Sequence, residues 1–487
     1  MIDVPVLPTR SYVDGVWRMP AEQIGVLCDP NTGRTRQPQL STELPRVEDA
    51  LAAAQRTFET GVLEHAGTAT RVEVLRAWAL RLDTRAEDIA LQDAIATGNP
   101  LTTTRVLAGS LGDRVRGIAD QAAAVGDDKV LDERYRVRLL NRPLGPTLVL
   151  APWNAPTFVA VSKLAAAFGA GSPVLLKPSE WTPGGVQIAF EELTDTLTDF
   201  AITGSVAQLL HGGAAVGAAL SSDERIRVIT FTGGLTAGRA VARAAAETLA
   251  VTQLELGSNN PAIVLADADA AETARLIVAG ATRLNGQWCE APGKILVSAE
   301  LHDELVDALV AEAERLRIEN CLEQDCDLGP LAYEMHRDRL VGQLAAYEAE
   351  GGTVHRAGRM PSLDGWFFNP SFVTGLAADQ ASDEMFGPAL TIHRTASVED
   401  AVRAANRAGG GLDGFVFGVD EDEALRVGAR IRAGEVRING AHMADLADGS
   451  EQTFWDASGV GGHGPAQGVA FYQGRRVVGV DNPALPI

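Results

Sequence analysis

Thr147–Pro152 (TLVLAP), Ser172–Pro178 (SPVLLKP), Val206–Gly212 (VAQLLHG) and Ile226–Gly234 (IRVITFTGG) are four short apolar runs, each followed by a stretch with helical spacing. Alternation of this kind predicts a parallel sheet with helices on both faces, an α/β fold. Nucleotides bind such sheets at the C-terminal ends of the strands. The GxGxxG fingerprint is absent, so periodicity alone gives an unspecified doubly wound domain. FTGGLTAGR (Phe231–Arg239) has the glycine spacing of a phosphate loop but lacks the Lys-Ser/Thr pair of a P-loop, which argues against an NTPase. Backbone N–H groups at the start of the helix after Gly234 are still suited to a pyrophosphate.

Downstream, residues 257–440 repeat the alternation. PAIVLAD, a helix near 269–283, KILVSAE, helices over 301–317 and 332–350, and the strand-like TIHRT, GFVFGVD and GEVRING give a second α/β layer, read as a catalytic domain. Residues 441–464 are rich in Gly, Asp and His and read as an extended loop. Upstream, residues 1–50 read as a loop-rich entry, and 47–124 as amphipathic helices interrupted at Gly98-Asn99-Pro100. Residues 129–146 alternate as a half-exposed strand pair, and the tail from Gly468 ends in a similar stretch. Apolar strand edges have to be covered, which favours assembly as a homodimer or homotetramer over an exposed hairpin.

The 487 residues allow two or three domains, and 46% hydrophobic with 22% charged residues is ordinary for a soluble enzyme. A formal charge of −22 argues against nucleic acid or an anionic membrane as partner. Cys28, Cys289, Cys321 and Cys326 are too few for a disulfide scaffold, so a cytoplasmic location is expected. Cys321 and Cys326 read as loop thiols. No secretory signal or membrane span is visible. The eight histidines form no HExxH or comparable pair, so no metal site is expected.

Asn285–Lys294, NGQWCEAPGK, carries the chemistry. Cys289 lies among glycines and a proline, where no helix interior can form. Taken alone it reads as a small buried hydrophobe. Glu255 in LELGSNNP and Asn154 in APWNAP change that reading, because a thiol, a carboxylate and a side-chain amide are nucleophile, base and oxyanion donor for covalent chemistry at a carbonyl. Asn154 also suits the N-cap of the helix after Pro152.

With these residues in view, the chain resembles the NAD(P)-dependent aldehyde dehydrogenase superfamily. The matching stretches run in order from VDGVW through PWN, KPSE, FTGG, ELG, GQWC and EMFGP to SGVG, over nearly the whole chain. The resemblance implies a Rossmann-like cofactor domain (1–128 and 147–256), an α/β catalytic domain (257–446) and a small β oligomerisation element (129–146 and 466–487). It implies a Cys289 thiohemiacetal and thioester, oxyanion donation by Asn154, hydrolysis assisted by Glu255, and a proton relay through Lys163. It places Trp153, Lys177, Glu180, Gly212, Gly217, Phe231, Gly233, Gly234, Leu256, Glu384 and Phe386 at the cofactor. A carboxylate at Glu180, beside a ribose 2′-hydroxyl, favours NAD, with NADP as the open alternative.

The sequence also departs from the family pattern. Ser258 and Asn259 stand where a Gly-Lys pair is usual, which puts the movement of Glu255 in question. Gly462 and His463 replace an Arg-Glu pair whose glutamate relays protons. His463 is either a substitute relay or a plain loop histidine. TFWDASG remodels the loop before it. Ala155, Phe158, Ser162, Trp288, Trp455 and His463 are placed around the substrate. Small residues at the entrance with two tryptophans inside suggest a bulky apolar or aromatic aldehyde, with no evident cation for an acidic one. A cofactor-independent thioesterase or esterase on the same scaffold, and a non-enzymatic binding protein, are the rival readings.

Overall fold

The computed structural model describes residues 4–407 and 410–481. The end of the expected oligomerisation element, 482–487, lies outside them. The strands read from the apolar runs form an eight-stranded sheet. Its parallel centre runs Ala207–Leu209, Val174–Lys177, Thr147–Leu150, Val228–Thr232, Val251–Glu255. Val174–Lys177 and Thr147–Leu150 are buried at every residue, which is why they read as continuous apolar runs rather than alternating ones. Thr147–Leu150 is first in chain order and sits between strands that follow it on either side, so the sheet has its topological switch point there.

Two expectations are corrected. The entry segment is not mainly loop: Ser11–Val13 and Val16–Arg18 extend one edge of this sheet, and Glu22–Cys28 pairs with Thr35–Ser41. The Gly-rich stretch 441–464 is not only an extended loop, because Gly459–Val460 pairs antiparallel with Leu254 and Glu255 and closes the other edge. A Cβ at Gly459 would lie 1.7 Å from the Leu254 carbonyl oxygen, so only glycine permits that approach.

The second sheet has seven strands, in the order Thr353–Arg356, Ser371–Thr374, Ala389–Thr395, Pro292–Ser298, Asn260–Val264, Asp413–Phe417, Glu435–Ile438, parallel except at the first. Chain continuity fixes how the sheets meet. Glu255 ends a strand of the first sheet and Asn260 begins one of the second, so C-terminal strand ends of one sheet face N-terminal strand ends of the other. Asp128–Asp132, Val137–Pro143 and Gln473–Val478 form a separate three-stranded sheet with Val130, Leu131, Val477 and Val478 exposed. No helix of the described residues is long and apolar enough to cross a membrane.

Candidate active site

Cys289 sits just before the strand Pro292–Ser298, in a loop locked from several sides. Leu284, Asn285 and Gly286 are consecutive left-handed residues with φ of 51°, 58° and 71°. Asn285 Nδ2 donates to the carbonyls of Gly98 (2.7 Å) and Pro330 (2.9 Å), and its Oδ1 accepts from Gly329 N–H at 2.9 Å. A Cβ at Gly286 would lie 2.1 Å from the Gly387 carbonyl carbon, which reserves this position for glycine. Gln287 accepts from Ala332 N–H (2.9 Å), and Asn260 Nδ2 donates to the carbonyls of Cys289 and Ala291, both at 2.8 Å. Hydrogen bonds of this number hold a strained backbone that a free loop would relax.

The structure brings Cys289, Glu255, Asn154 and His463 together. Cys289 Sγ lies 3.5 Å from Glu255 Oε1, and His463 Nε2 lies 3.3 Å from Glu255 Oε2. Asn154 does not cap its helix. Ala155 occupies the N-cap of Pro156–Ala170, and Asn154 Nδ2 donates instead to the Gln287 carbonyl at 2.8 Å, two residues before the thiol. Lys163 is one step removed: its Nζ donates to Gln253 Oε1 (2.7 Å), while Gln253 Nε2 donates to the carbonyls of Gly462 (2.9 Å) and Gln467 (3.1 Å). The remodelled loop is therefore tied to the lysine through Gln253.

Electrostatics set the resting state. Burial pushes the Cys289 thiol up, and the neighbouring carboxylates, Glu255 foremost, add to it, so it rests protonated at neutral pH. Burial also opposes ionisation of Glu255, but His463 and then Lys163 outweigh it and hold the carboxyl at about 2. Burial brings Lys163 down to about 8 and lifts Glu290, beside the thiol, to about 7. Removing the Glu255 charge by Glu255→Gln is expected to move the pH midpoint of Cys289 alkylation by iodoacetamide to lower pH and to speed the reaction at pH 7.5. Slower alkylation in that variant means that Glu255 acts as the base of the resting thiol.

The expected cofactor residues meet one another in small groups. Lys177 Nζ lies 3.6 Å from Glu180 Oε2. Gly217 lies over the Lys177 side chain, and Gly233 over the Phe231 ring, where a Cβ would meet Phe231 Cζ at 2.6 Å. Gly212 has φ 159°, and Leu256 packs against Gly238. Gly234 caps the helix Leu235–Thr248, whose first turn has no acidic residue and no side-chain cap, and the space beside Gly234 is open. Uncapped N–H groups facing open space suit a pyrophosphate, so these residues fit a dinucleotide. Glu384 Oε1 accepts from Ser258 N–H at 3.2 Å, and burial raises this carboxyl to about 7.

Phe386, at φ 55°, packs with Trp153, ring centres 5.3 Å apart. Around them lie Tyr333, His336 and Trp181, with Trp181 stacked on Tyr333 at 4.4 Å. The sequence reading missed these three. Trp181 directly follows the KPSE stretch, whereas the segment of Tyr333 and His336 carries no motif, and only the fold gathers the three. The two departures after Glu255 are accommodated. Ser258 is not in the left-handed region, and Asn259 Nδ2 donates to the carbonyls of Ala381 and Ser382, both at 3.1 Å.

Ala155, Leu284 and Trp288 form a buried apolar cluster at the thiol, with Leu107, Phe158, Val159 and Met443 packed on it. Trp455 does not join them. Its side chain is 45% exposed and its backbone N–H donates to Gly411, while its neighbour Phe454 is buried against the His463 ring at 4.9 Å. The expected lack of a cation is also corrected. Arg114 crosses from the helix Leu111–Val125 to Phe158 and Ser162. Cys321 and Cys326 are indeed in loop, but buried.

A thiol held against a carboxylate, with a side-chain amide anchored two residues away on the same loop, beside a parallel sheet of the nucleotide-binding kind, fits a cysteine-dependent dehydrogenase site. The chain belongs to the aldehyde dehydrogenase family, whose model matches residues 17–478. It is an NAD(P)-dependent oxidoreductase acting on aldehydes. It is 32% identical to the NADP(+) succinate-semialdehyde dehydrogenase of Mycobacterium leprae (strain TN), over 85% of this chain and 90% of the relative. It is 29% identical to the betaine aldehyde dehydrogenase of Bacillus subtilis (strain 168), over 88% and 89%. Betaine aldehyde dehydrogenase of Staphylococcus aureus in complex with NAD+ superposes with a TM-score of 0.91 at 26% identity, covering 98% of this chain and 96% of that one. A mutant of aldehyde dehydrogenase C from Pseudomonas syringae, with NAD+ and octanal, gives 0.90 at 26% identity, covering 98% of each chain.

Proposed function

We propose that the protein oxidises its aldehyde with NAD through a covalent intermediate on Cys289. The observation that carries this reading is the 3.5 Å approach of Cys289 Sγ to Glu255, with Asn154 anchored two residues away on the same loop. In this reading Cys289 releases its proton to solvent as Sγ adds to the aldehyde carbon, and the oxyanion of the resulting thiohemiacetal accepts N–H donation from Asn154 and the backbone of Cys289. A bound nicotinamide would supply the hydride acceptor. The thioester left on Cys289 is hydrolysed by a water that Glu255 deprotonates. His463 occupies the relay position, directly on Glu255, and Lys163 reaches the same group only electrostatically.

Trp153, Lys177, Glu180, Gly212, Gly217, Phe231, Gly233, Gly234, Leu256, Glu384 and Phe386 hold the cofactor. Glu180 favours NAD, since a 2′-phosphate would meet its carboxylate, and the NADP(+) relative makes the comparison worth measuring. Residues 1–128 with 147–256, and 257–446, serve as cofactor-binding and catalytic domains. The exposed valines of the three-stranded sheet support 129–146 with 466–487 as the contact of a cytoplasmic homodimer or homotetramer.

The test is reduced-cofactor formation from NAD and from NADP over a panel of aliphatic and aromatic aldehydes. NAD is expected to be the better cofactor, and no turnover with any aldehyde refutes the reading. Asn154→Ala is expected to lower kcat by about 10²–10³-fold, the usual cost of one oxyanion donor, with cofactor affinity unchanged. A loss confined to KM would place Asn154 in substrate binding instead.

A further inference from the structure

We infer that Arg114 and Ser162 form an anion subsite in the substrate funnel, so that the aldehyde carries a carboxylate at the end remote from Cys289. The inference rests on the dehydrogenase reading and names its substrate class. Arg114 projects from the helix Leu111–Val125 across the helix Pro156–Ala170, with its Cζ 4.5 Å from the centre of the Phe158 ring. Its Nε donates to Ser162 Oγ. Ser162 Oγ donates its own hydrogen to the Phe158 carbonyl at 2.7 Å, which leaves it the acceptor that orients the guanidinium. Stacked on one face and held at Nε, the guanidinium keeps its two terminal amines available. Among the described residues no carboxylate lies within ion-pair distance of it. Arg116, two residues along, is paired with both Asp83 and Asp113.

Arg114 retains accessible surface, yet its surroundings desolvate it enough to bring its pKa down. The guanidinium is thus open to a ligand arriving from solvent while Phe158 and Ser162 fix its orientation. The charged groups that act on it are Asp445 of the exposed 444–449 segment, then Glu255 and Glu290 beside the thiol. The last two place it within electrostatic reach of the reaction centre.

Phe158 supplies the link. One side of its surroundings is the cluster with Cys289, Trp288, Leu107 and Met443, and the guanidinium lies over its ring. A ligand with its carbonyl carbon at Cys289 therefore runs along apolar and aromatic groups before it meets the terminal amines of Arg114. A guanidinium edge with two free N–H groups matches a carboxylate bidentately. The apolar path agrees with an aromatic or aliphatic spacer, and the cation adds the charge that the sequence reading denied.

The test compares 4-carboxybenzaldehyde with benzaldehyde, and a straight-chain aldehyde bearing a terminal carboxylate with its uncharged alkyl counterpart. The wild-type protein is expected to prefer each charged member by about 10–100-fold in kcat/KM, the range of one or two charge-assisted hydrogen bonds. Arg114→Gln is expected to collapse that ratio, and Arg114→Lys to restore part of it. Equal kcat/KM for both members in the wild type overturns the subsite and leaves the dehydrogenase standing. If no aldehyde is oxidised, the dehydrogenase reading falls, and the subsite is then decided by protection of Cys289 from iodoacetamide. Protection at lower concentrations of the charged aldehyde, lost in Arg114→Gln, supports it, and equal protection by both overturns it.

Discussion

Cys289→Ala is expected to reduce aldehyde-dependent NADH formation by on the order of 10⁵–10⁶-fold, the scale seen when a covalent nucleophile is removed. The size of the effect follows from the site. Glu255 touches this sulfur, His463 sits on Glu255 and Asn154 is anchored two residues away on the same loop, and without the sulfur these residues have no intermediate to stabilise or hydrolyse. The thiol is only partly exposed and sits in an apolar cluster, so alanine removes the nucleophile with little change in packing. Cofactor binding measured by fluorescence titration should be retained, because the residues at the helix after Gly234 and around Lys177 are on the other sheet. Substantial residual turnover in the variant would mean that hydride leaves a hydrated aldehyde without any covalent step.

Glu255→Gln should separate the two halves of the reaction. Glutamine is isosteric and keeps the backbone pairing with Gly459, but cannot take a proton from water. The expected result is a burst of one NADH per active site followed by steady turnover slowed by about 10²–10⁴-fold, the usual contribution of a positioned base. His463 and Lys163 hold the wild-type Glu255 carboxyl at about 2, so it is ionised throughout the assay range and its titration does not appear in the wild-type pH profile there. Uniform slowing without a burst would place Glu255 before hydride transfer instead.

What could be read from the residues differs from one part of the molecule to another. The first sheet was legible because Val174–Lys177 and Thr147–Leu150 are buried on both faces and therefore spelled as apolar runs. Ser11–Val13 and Val16–Arg18 were not, since three-residue strands at an edge have no periodicity to read. The same brevity hid Gly459–Val460 within a stretch that reads as loop. Cys289, Glu255 and Asn154 were found because their residue types together are what carbonyl chemistry requires, and the fold places them side by side. Of the two roles open to Asn154, the helix cap falls away, because the sequence does not reveal that Gln287 offers its amide a carbonyl. Arg114 escaped notice for a related reason. An arginine on an amphipathic helix ordinarily points to water, and this one is exposed too; only the fold shows that Ser162 and Phe158 of the neighbouring helix hold its guanidinium. Trp455, assigned to the pocket by its place in the remodelled loop, is exposed, and the adjacent Phe454 takes the buried position against His463.

The most direct test of the covalent account is mass spectrometry of the Glu255→Gln protein, quenched in acid after mixing with NAD and a turned-over aldehyde. The account predicts that the peptide containing Cys289 gains the mass of the acyl group, in an amount equal to the NADH released in the burst. NADH formed with no acyl adduct on Cys289, or with the adduct on another residue, would contradict it.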